Sequence, residues 1–517
     1  MSIDSLRSGA IEICFDPSLN VYPNKCRILI EGQMLDDGVA KEGQLIFMPS
    51  LRDVNEQFGE GSVIAEGLKT AFLCCGNNAL DIYALPRKDA SVGAVTKAQY
   101  TMTFTGDATS YGRVDMYMGD GRWRTSDRIV LGTTAGEIAT IVTETLMREP
   151  GLPFEVLNTN VGEITLTAKN AGTVGNCFRV FYNWHERRDY APKGIEFEFK
   201  QTIAGQNIKV QHLDYISLLG ECCYCCIGML YDDTYWQDAM IAYIASAWDC
   251  SKPQCFGHGY TYNTGTLGEI LSCDTNSAEV SRIAHCCGVD PATGESYGDP
   301  AIGWMKVAAY AAQSCCLAVD HPEMNIQGPD FGILRCVHIP ESCFQCFTYD
   351  EQQILQATGF VVTVPYQGGT GHLTSPMIVN DSTNNRYDDD MRLNSTWWDV
   401  SSRRLAAVTA DQMALELGKV LGLGLFTKNT TIPPGIKGTN PKLILGMIRT
   451  WAKAHVGILF SEFDDIDNDI QLRTDFEVAP RCQGVCGKLW VNFIYRPPCR
   501  IRKIHVNAQP RLLDNCY

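Results

Sequence analysis

The residues of this chain that are best suited to chemistry are its 23 cysteines, several of which stand in adjacent pairs. Cys343-Phe-Gln-Cys346 has the spacing of half a zinc site, as does Cys222 with Cys225, but no second CxxC follows at zinc-finger spacing. We predict no metal ligands and expect most cysteines to be small buried apolar residues. Zinc binding and disulfides formed after release from the cell are the alternatives.

Two segments contain residues that a hydrolase could use. Gly257-His258-Gly259 and Gly371-His-Leu-Thr-Ser375 are faintly similar to the His and Ser boxes of subtilisin-like proteases. A catalytic triad also needs an Asp that orients the His and an oxyanion hole, and no Asp box of that family is visible. His285 and Cys286 are adjacent, a spacing that rarely allows their side chains to form a hydrogen bond. We therefore predict no catalytic residues, and a subtilisin-like hydrolase remains the alternative from another class of function.

Ligand-binding motifs are similarly incomplete. Asp465-Ile-Asp-Asn-Asp469 imitates the start of a calcium-binding EF-hand, but Ile470 stands where glycine is required and Phe476 where a bidentate Glu belongs. Gly119-Asp-Gly121 follows a predicted strand but does not open a helix, so it predicts a hairpin turn and not a phosphate-binding loop. We predict no cofactor.

Composition narrows the classes of partner. The 517 residues carry a net charge of −16, so the surface should repel nucleic acid and anionic lipid. No apolar run reaches the roughly 18 to 20 residues that span a bilayer, and the N-terminus has no signal-peptide pattern. We therefore expect no nucleic-acid partner and no membrane insertion. The length predicts two to four domains.

Any site must be positioned by the predicted helices and strands. The first of these are a strand at 25–32, a helix at 63–75 and a strand at 80–85, which together indicate an α/β unit. Between about residues 89 and 205 the pattern changes to alternating, Thr- and Gly-rich runs, interrupted by a helix after the capping box of Thr134 and Glu137.

After residue 205 the α/β pattern returns. Helices are predicted at 300–317, at 410–420 with Thr409 and Gln412 as a capping box, and at 441–455. The polar, turn-rich stretch 366–400 predicts an exposed loop region.

The predicted fold is an α/β core domain with an inserted β-rich (α+β) domain and extended N- and C-terminal arms. The predicted boundaries are 1–24 for the N-terminal arm, 25–88 for the first part of the core, 89–205 for the inserted domain, 206–496 for the remainder of the core and 497–517 for the C-terminal arm.

Each arm contains a strand without a hairpin partner. Ile11, Ile13 and Phe15 alternate along the N-terminal strand. Pro497 and Pro498 separate the C-terminal strand from the strand before it, because proline lacks the N–H that a hairpin needs. The apolar residues of the C-terminal strand are Ile501, Ile504 and Val506.

Four segments, taken in order, resemble the inserted domain of Mu-type contractile phage tail sheath proteins. They are Phe104-Thr-Gly-Asp-Ala-Thr109, Val114-Asp-Met-Tyr-Met-Gly119, the capped helix at 134–147, and the run from Ile164 to Asn176. Strand 26–32 with Gly32-Gln-Met, and Phe58-Gly-Glu-Gly-Ser62, are similar to that family's opening. The resemblance covers most of the chain and is strongest before residue 180.

This resemblance implies a structural protein and not an enzyme: a virion subunit, assembled in the host bacterial cytoplasm, that forms hexameric rings stacked helically around a tail tube. Contraction would drive the tube through the host envelope. The implied partners are further copies of the chain, the tail tube protein, and the baseplate and tail terminator proteins. In related sheaths each arm adds a strand to a neighbouring subunit. The sheath of a capsid-less contractile injection particle is the alternative within this class.

Charge suggests how the C-terminal arm would dock. A basic group near the C-terminus contrasts with the acidic chain as a whole and comprises Arg496, Arg500, Arg502 and Lys503. A nearby acidic stretch includes Asp464, Asp465 and Asp467. We expect the basic arm to dock against acidic surface on the next subunit, and such exposed pairs set register more than affinity.

Overall fold

The structure is a computed structural model with side chains. It describes residues 26–75, 80–89, 95–149, 151–176, 178–184, 189–206, 215–219, 223–248, 256–273, 277, 279–290, 292–293, 295–340, 347–366, 373–387, 392–393, 397–420, 423–425, 431–457, 459, 470–474 and 489–493. The chain forms two compact units, residues 1–411 and 412–517.

The strands are β1 (Arg27–Met34), β2 (Ile46–Met48), β3 (Asp81–Lys88), β4 (Gln99–Thr105), β5 (Asp115–Tyr117), β6 (Trp123–Thr125), β7 (Phe154–Asn160), β8 (Glu163–Ala168), β9 (Phe181–Tyr182), β10 (Glu196–Ile203), β11 (Cys226–Met229), β12 (His258–Gly265), β13 (Val280–Val289), β14 (Ser296–Gly298), β15 (Ile339–Pro340), β16 (Thr363–Pro365), β17 (Leu373–Thr374), β18 (Pro376–Ile378), β19 (Gly424–Leu425), β20 (Gly438–Thr439), β21 (Ile470–Thr474) and β22 (Leu489–Phe493).

The helices are α1 (Val54–Phe58), α2 (Val63–Cys75), α3 (Ala135–Met147), α4 (Tyr215–Leu219), α5 (Thr234–Ala247), α6 (Leu267–Ser272), α7 (Gly303–Asp320), α8 (Gly328–Phe331), α9 (Tyr349–Ala357), α10 (Val400–Gly418) and α11 (Pro441–Ala454), with a 3₁₀ turn at Thr173–Gly175. None of these helices is long and apolar enough to cross a bilayer.

The first unit contains a seven-stranded sheet in the order β14-β13-β12-β11-β1-β3-β2. Its five central strands are parallel, and both edge strands are antiparallel to their neighbours. Every residue of β1 from Ile28 to Met34 is buried, as is usual for a parallel strand covered on both faces. β1, α2 and β3 follow one another as the sequence predicts.

Helices α2 and α7 pack against each other, and both contact β1. Gly228 on β11 permits the close approach of α7, because a Cβ atom there would lie 2.9 Å from Ile30 Cδ1 and 3.4 Å from Ala311 Cβ. Small residues therefore allow helix α7 to pack closely on the sheet in the core of the unit.

The strands from β4 to β10 form two further sheets, an antiparallel one in the order β10-β4-β8-β7 and a smaller one in the order β6-β5-β9. Burial alternates along β4, and the ring of Tyr100 stacks on Phe199 at 5.2 Å. Helix α3 packs on β7 and begins at the predicted capping box, in which Thr134 N donates to Glu137 Oε2 at 2.9 Å. The fold is therefore mixed α/β with several sheets. We call residues 95–206 the insert.

Two predictions for the later chain are wrong. Residues 381–386, within the stretch predicted as exposed loop, are buried. Asp381 shows how this stretch is held in the interior: it accepts a hydrogen bond from the backbone N–H of Ile326 at 2.8 Å and another from the Tyr310 hydroxyl. Helix α10 begins at Val400, well before residue 410, so Thr409 lies inside the helix and does not cap it.

The second unit contains α11, capped by Asn440, whose Oδ1 accepts from Leu443 N at 2.9 Å. Ile444, Ile448 and Ala452 recur at helical spacing and are buried. β21 pairs antiparallel with β22 and contacts α11. The helix predicted at 441–455 is confirmed.

Candidate functional site

The candidate site is the crevice at the carboxyl ends of β1 and β11. β1 lies between β3 on one side and β11 on the other, so the strand order reverses there. In open α/β sheets, ligands bind at such a switch point, outside the carboxyl ends of the strands. What fills this crevice therefore decides whether the sheet offers a ligand site.

A buried carboxylate stands at the crevice. Glu31 is fully buried and accepts hydrogen bonds from the hydroxyls of Tyr215, at 2.7 Å, and Tyr231. Arg87 Nη1 lies 3.7 Å from Glu31 Oε1, and the Arg87 guanidinium lies 5.2 Å from the ring centre of Trp236. Burial raises the pKa of Glu31, although Arg87 and the two hydroxyls act in the opposite direction.

The insert supplies the groups that occupy the crevice beside Glu31. Gln33 Nε2 donates to Asp89 Oδ1 at 2.7 Å and to the carbonyl of Ala171 at 3.0 Å. Asn170 Nδ2 donates to the carbonyl of Met34 at 3.1 Å, and Asn170 Oδ1 accepts from Val63 N at 3.0 Å. The segment 170–171 is thus bonded to the end of β1 and to the start of α2.

Further contacts join the insert to other strands of the sheet. Thr173 Oγ1 donates to Asp232 Oδ1, just after β11, at 2.7 Å. Arg179 Nη1 donates to the carbonyl of Gly298 on β14 at 2.7 Å. The chain therefore covers the carboxyl ends of its own strands with its own residues.

A small cavity remains between the insert and the start of α7. Its lining includes Thr173, Tyr262, His285 and Trp304. The space is enough for about one water molecule. His285 Nδ1 and Trp304 Nε1 are buried here without a hydrogen-bond partner.

Two more buried charge networks stabilise the unit. Lys306 donates to Asp299 and to Thr363 Oγ1, the latter at 3.1 Å. Burial acts against ionisation of Asp299, but the Lys306 ammonium outweighs it and lowers the pKa of that carboxyl. Arg403 Nη1 lies 3.6 Å from Glu279 Oε1, and its guanidinium lies 4.3 Å from the ring centre of Trp248.

The histidine considered for hydrolysis does not activate a nucleophile. His258 Nε2 is 2.9 Å from Ser281 Oγ, which itself donates to the carbonyl of Ser382 at 2.8 Å. The serine proton is therefore directed away from the imidazole. Burial, together with Arg403 and Arg404, lowers the pKa of His258 well below its usual value. Ser375 is buried between β17 and β18, so the hydrolase alternative has no support.

The cysteines are only partly as predicted. Of the free cysteines in the described ranges, Cys75, Cys226 and Cys315 are fully buried and the others are half-buried. Cys287 is disulfide-bonded. Among the described residues, no group of three or more His, Cys, Asp or Glu side chains could hold a metal ion. Cys222, Cys343 and Cys346 lie outside those residues.

The residues predicted to join subunits also lie outside the described ranges. These are Ile11, Ile13 and Phe15 of the N-terminal arm; Ile501, Ile504 and Val506 of the C-terminal arm; and the charged residues Arg496, Arg500, Arg502, Lys503, Asp464, Asp465 and Asp467. Sequence reasoning in turn missed Glu31 and Lys306, although each is a charged residue in an otherwise apolar run.

No protein family model matches the chain. A curated relative, the Mu-like prophage FluMu tail sheath protein of Haemophilus influenzae, is 29% identical over 171 residues, which is 33% of this chain and 33% of that protein. The chain thus matches about a third of the length of this relative, and over that third the predicted resemblance is confirmed.

Solved structures with some similarity include the sheath tail proteins of Listeria innocua (12% identity, TM-score 0.45, 96% of both chains) and Desulfitobacterium hafniense (12% identity, TM-score 0.42, 90% of this chain and 94% of that one). The contracted helical sheath of the anti-feeding prophage gives a TM-score of 0.43 at 11% identity over 96% of this chain and 98% of that one. These scores are too low to establish a common fold.

Proposed function

We propose that this chain is the structural subunit of a contractile tail sheath, which polymerises around a tail tube and contracts to drive the tube through the host envelope. The observation that carries the proposal is the crevice at the switch point, where Asn170, Ala171 and Thr173 occupy the place at which an α/β enzyme binds its ligand. The 29% identical relative supports the same role. We assign the chain no catalytic activity.

The buried contacts between insert and sheet suit a subunit that moves as a body. Three side chains of the insert form hydrogen bonds with other parts of the first unit; they are Asn170, Arg179 and Tyr117. Mechanical work requires that conformational change be concentrated at subunit contacts, since packed cores do not deform continuously. The domain boundaries proposed for this subunit are 25–88 and 206–496 for the core and 89–205 for the inserted domain.

The arms, 1–24 and 497–517, are proposed to join the subunits by strand addition. The candidate acceptor is the pair β21–β22, which among the described residues forms a sheet of two strands only. An isolated pair of strands is marginally stable, and an added strand gains main-chain hydrogen bonds along the exposed edge. Strands from neighbouring chains would thus stabilise the acceptor and link the subunits while their domains rotate.

The basic residues of the C-terminal arm are proposed to fix the register of this strand. Arg500, Arg502 and Lys503 would approach acidic surface around Asp464, Asp465 and Asp467 of the next subunit. Head-to-tail contacts of this kind are heterologous and generate open helical filaments. The further partners proposed are the tail tube, baseplate and terminator proteins of the virion, with assembly in the bacterial cytoplasm.

Negative-stain electron microscopy of the purified chain tests the proposal. We expect the full chain to form rings or tubes, and the chain without residues 501–517 to remain a soluble monomer. A matched control carries Arg148→Gln, which removes an exposed basic residue of the insert that does not belong to either arm, and should assemble normally. Normal tubes from the truncated chain would refute the role of the arm; globular full-length monomers at every concentration would refute the function.

A further inference from the structure

Three turns of the insert meet at one place on its surface. Gly112 and Ile129 exchange two backbone N–H···O=C hydrogen bonds, at 3.1 and 2.9 Å. The N–H of Arg113 donates to the carbonyl of Tyr190 at 2.7 Å, which brings the third turn beside the first. We call the solvent-exposed side of these turns the turn surface; the turns comprise residues 107–113, 128–133 and 190–194.

Four large apolar or aromatic side chains of the turn surface are exposed. The exposed fraction is 60% for Tyr111, 50% for Val130, 60% for Leu131 and 72% for Tyr190. Tyr111 and Val130 are cross-strand neighbours, because they flank the bridge that joins the first two turns. A contiguous exposed apolar patch that is bordered by polar residues marks a site of protein interaction. The turn surface therefore has the character of a docking surface.

The charge of the turn surface is opposite in sign to that of the whole chain. Arg113, Arg128 and Lys193 are exposed, and Asp107 is the acidic residue of these turns. The Arg128 guanidinium lies 4.8 Å from the ring centre of Tyr111, so a basic group adjoins the apolar patch. The chain as a whole carries a net charge of −16. Another copy of the chain is therefore a partner that this basic surface attracts.

A second surface, on helices α6 and α9, is acidic. The two helices pack together, with Ile270 and Leu355 buried in one small hydrophobic core. Helix α9 has Asp350 and Glu351 in its first turn, and neither helix contains Lys or Arg. We call the solvent-exposed side of α6 and α9 the acidic helix surface.

The acidic helix surface presents carboxylates and apolar side chains together. Glu269 and Asp350 are exposed. Glu269 Oε2 accepts a hydrogen bond from the backbone N–H of Thr266 at 2.8 Å, so a capping box fixes the position of this carboxylate. Tyr349 is 69% exposed and Ile354 is 44% exposed. This surface is thus acidic where the turn surface is basic, and both expose apolar groups.

We propose that the turn surface of one copy of this chain docks on the acidic helix surface of a second copy. Both surfaces are exposed in the single chain, so neither covers the other there. In the contact, the basic residues of the turn surface face Glu269 and Asp350 of the second copy, and Tyr111 and Tyr190 pack near its Tyr349. Apolar groups that leave water supply the affinity, and the charges set the orientation of the two copies.

This contact would repeat along an assembly. It joins two different surfaces of identical chains, so it is heterologous, and heterologous contacts that do not close generate helical filaments. The inference rests on the proposed function, since the contact is one of those that would join sheath subunits. It involves neither of the two arms.

Charge reversal tests the contact, with light scattering to measure the concentration at which the full chain assembles. The turn variant carries Arg128→Glu and Lys193→Glu, and the helix variant carries Asp350→Lys and Gln353→Lys. Each variant alone brings like charges together and should raise that concentration about tenfold or more. An equimolar mixture should assemble again, because the acidic turns of one variant fit the basic helices of the other. Arg148→Glu, on the insert but outside the turn surface, is the matched control and should assemble as the unsubstituted chain does.

The outcomes separate the contact from the proposed function. If both variants assembled at the concentration of the unsubstituted chain, the contact would be overturned and the proposed function would stand. The same holds for a mixture that fails to recover although each variant keeps its melting temperature. An unsubstituted chain that forms no assembly would refute the proposed function and the contact together.

Cross-linking of the unsubstituted chain decides the question should a variant fail to fold. Assemblies of mixed isotopically light and heavy chains are treated with a carbodiimide, which joins amines to carboxylates in direct contact. We expect mass spectrometry to find Lys193 of one copy joined to Glu269 or Asp350 of another. Assemblies in which Lys193 is joined to neither helix of a second copy would overturn the proposal.

Discussion

The side-chain amide of Asn170, on the insert, donates a hydrogen bond to the backbone carbonyl of Met34 at the end of β1, with Nδ2 and O 3.1 Å apart. The same amide donates to Asp89 Oδ1, and its oxygen accepts from Val63 N at 3.0 Å. One buried residue thus satisfies polar groups from three segments of the first unit.

Asn170→Ala should therefore destabilise the first unit by about 2 to 3 kcal/mol, because it leaves a buried N–H and a buried carbonyl unpaired. Urea unfolding measures the loss. The control is Asn158→Ala on the exposed part of the same insert, which should change stability by less than about 0.5 kcal/mol. Equal effects of the two substitutions would contradict the structural role of Asn170.

Asp299→Asn should cost about 3 to 5 kcal/mol, because it leaves the fully buried ammonium of Lys306 without a counter-charge. Glu144→Gln is the matched control, since it removes the partner of Arg148 in an exposed pair and should cost under about 1 kcal/mol. Chemical denaturation gives both values. If Asp299→Asn were as mild as its control, the buried pair would not stabilise the fold.

Part of the loss of folding stability in acid is expected to come from His285. Burial, with Lys306 nearby, lowers the pKa of His285 from 6.5 to about 3, so between these values the unfolded chain binds a proton that the folded chain does not. Stability supplied by this group is complete above about pH 6.5 and falls as the pH decreases, by about 1.4 kcal/mol per pH unit. His285→Gln should reduce the slope of unfolding free energy against pH by that amount; an unchanged slope would show that His285 is not buried in its neutral form.

Two glycines should respond to alanine with opposite signs. Gly228→Ala places a Cβ atom 2.9 Å from Ile30 Cδ1 and should destabilise by about 1 to 3 kcal/mol through overpacking. Gly446, inside α11, has open space at its Cβ position, so Gly446→Ala should stabilise by up to about 1 kcal/mol through helix propensity. Thermal melting distinguishes the two, and stabilisation by Gly228→Ala would contradict the packing of α7 on β11.

Sequence periodicity was sufficient to predict those helices and strands whose characteristic pattern lies within their own residues. β4 alternates along Gln99–Thr105, within the stretch predicted to contain alternating strands, and α3 begins at the predicted capping box of Thr134 and Glu137. The resemblance to tail sheath proteins likewise depends on the order of local motifs.

Prediction failed where tertiary contacts override local polarity. The helix predicted to begin at residue 410 begins at Val400. Ser401, Arg403 and Arg404 are buried in its first turns, because Arg404 donates to the carbonyl of Met324 at 2.7 Å and Arg403 pairs with Glu279. Asp381 is likewise buried because it accepts a hydrogen bond from Ile326, which is distant in the sequence. The filling of the crevice by Asn170 could not be predicted either, because its partners Met34 and Val63 are more than a hundred residues away.

The most direct test of the central claim is cryo-electron microscopy of the assemblies that the full chain forms. The account predicts hexameric rings stacked into a helical tube, with strands of neighbouring chains added to β21–β22. Assemblies in which β21–β22 gains no strand from another chain would contradict the proposed linkage, and a chain that forms no assembly at all would contradict its function as a sheath subunit.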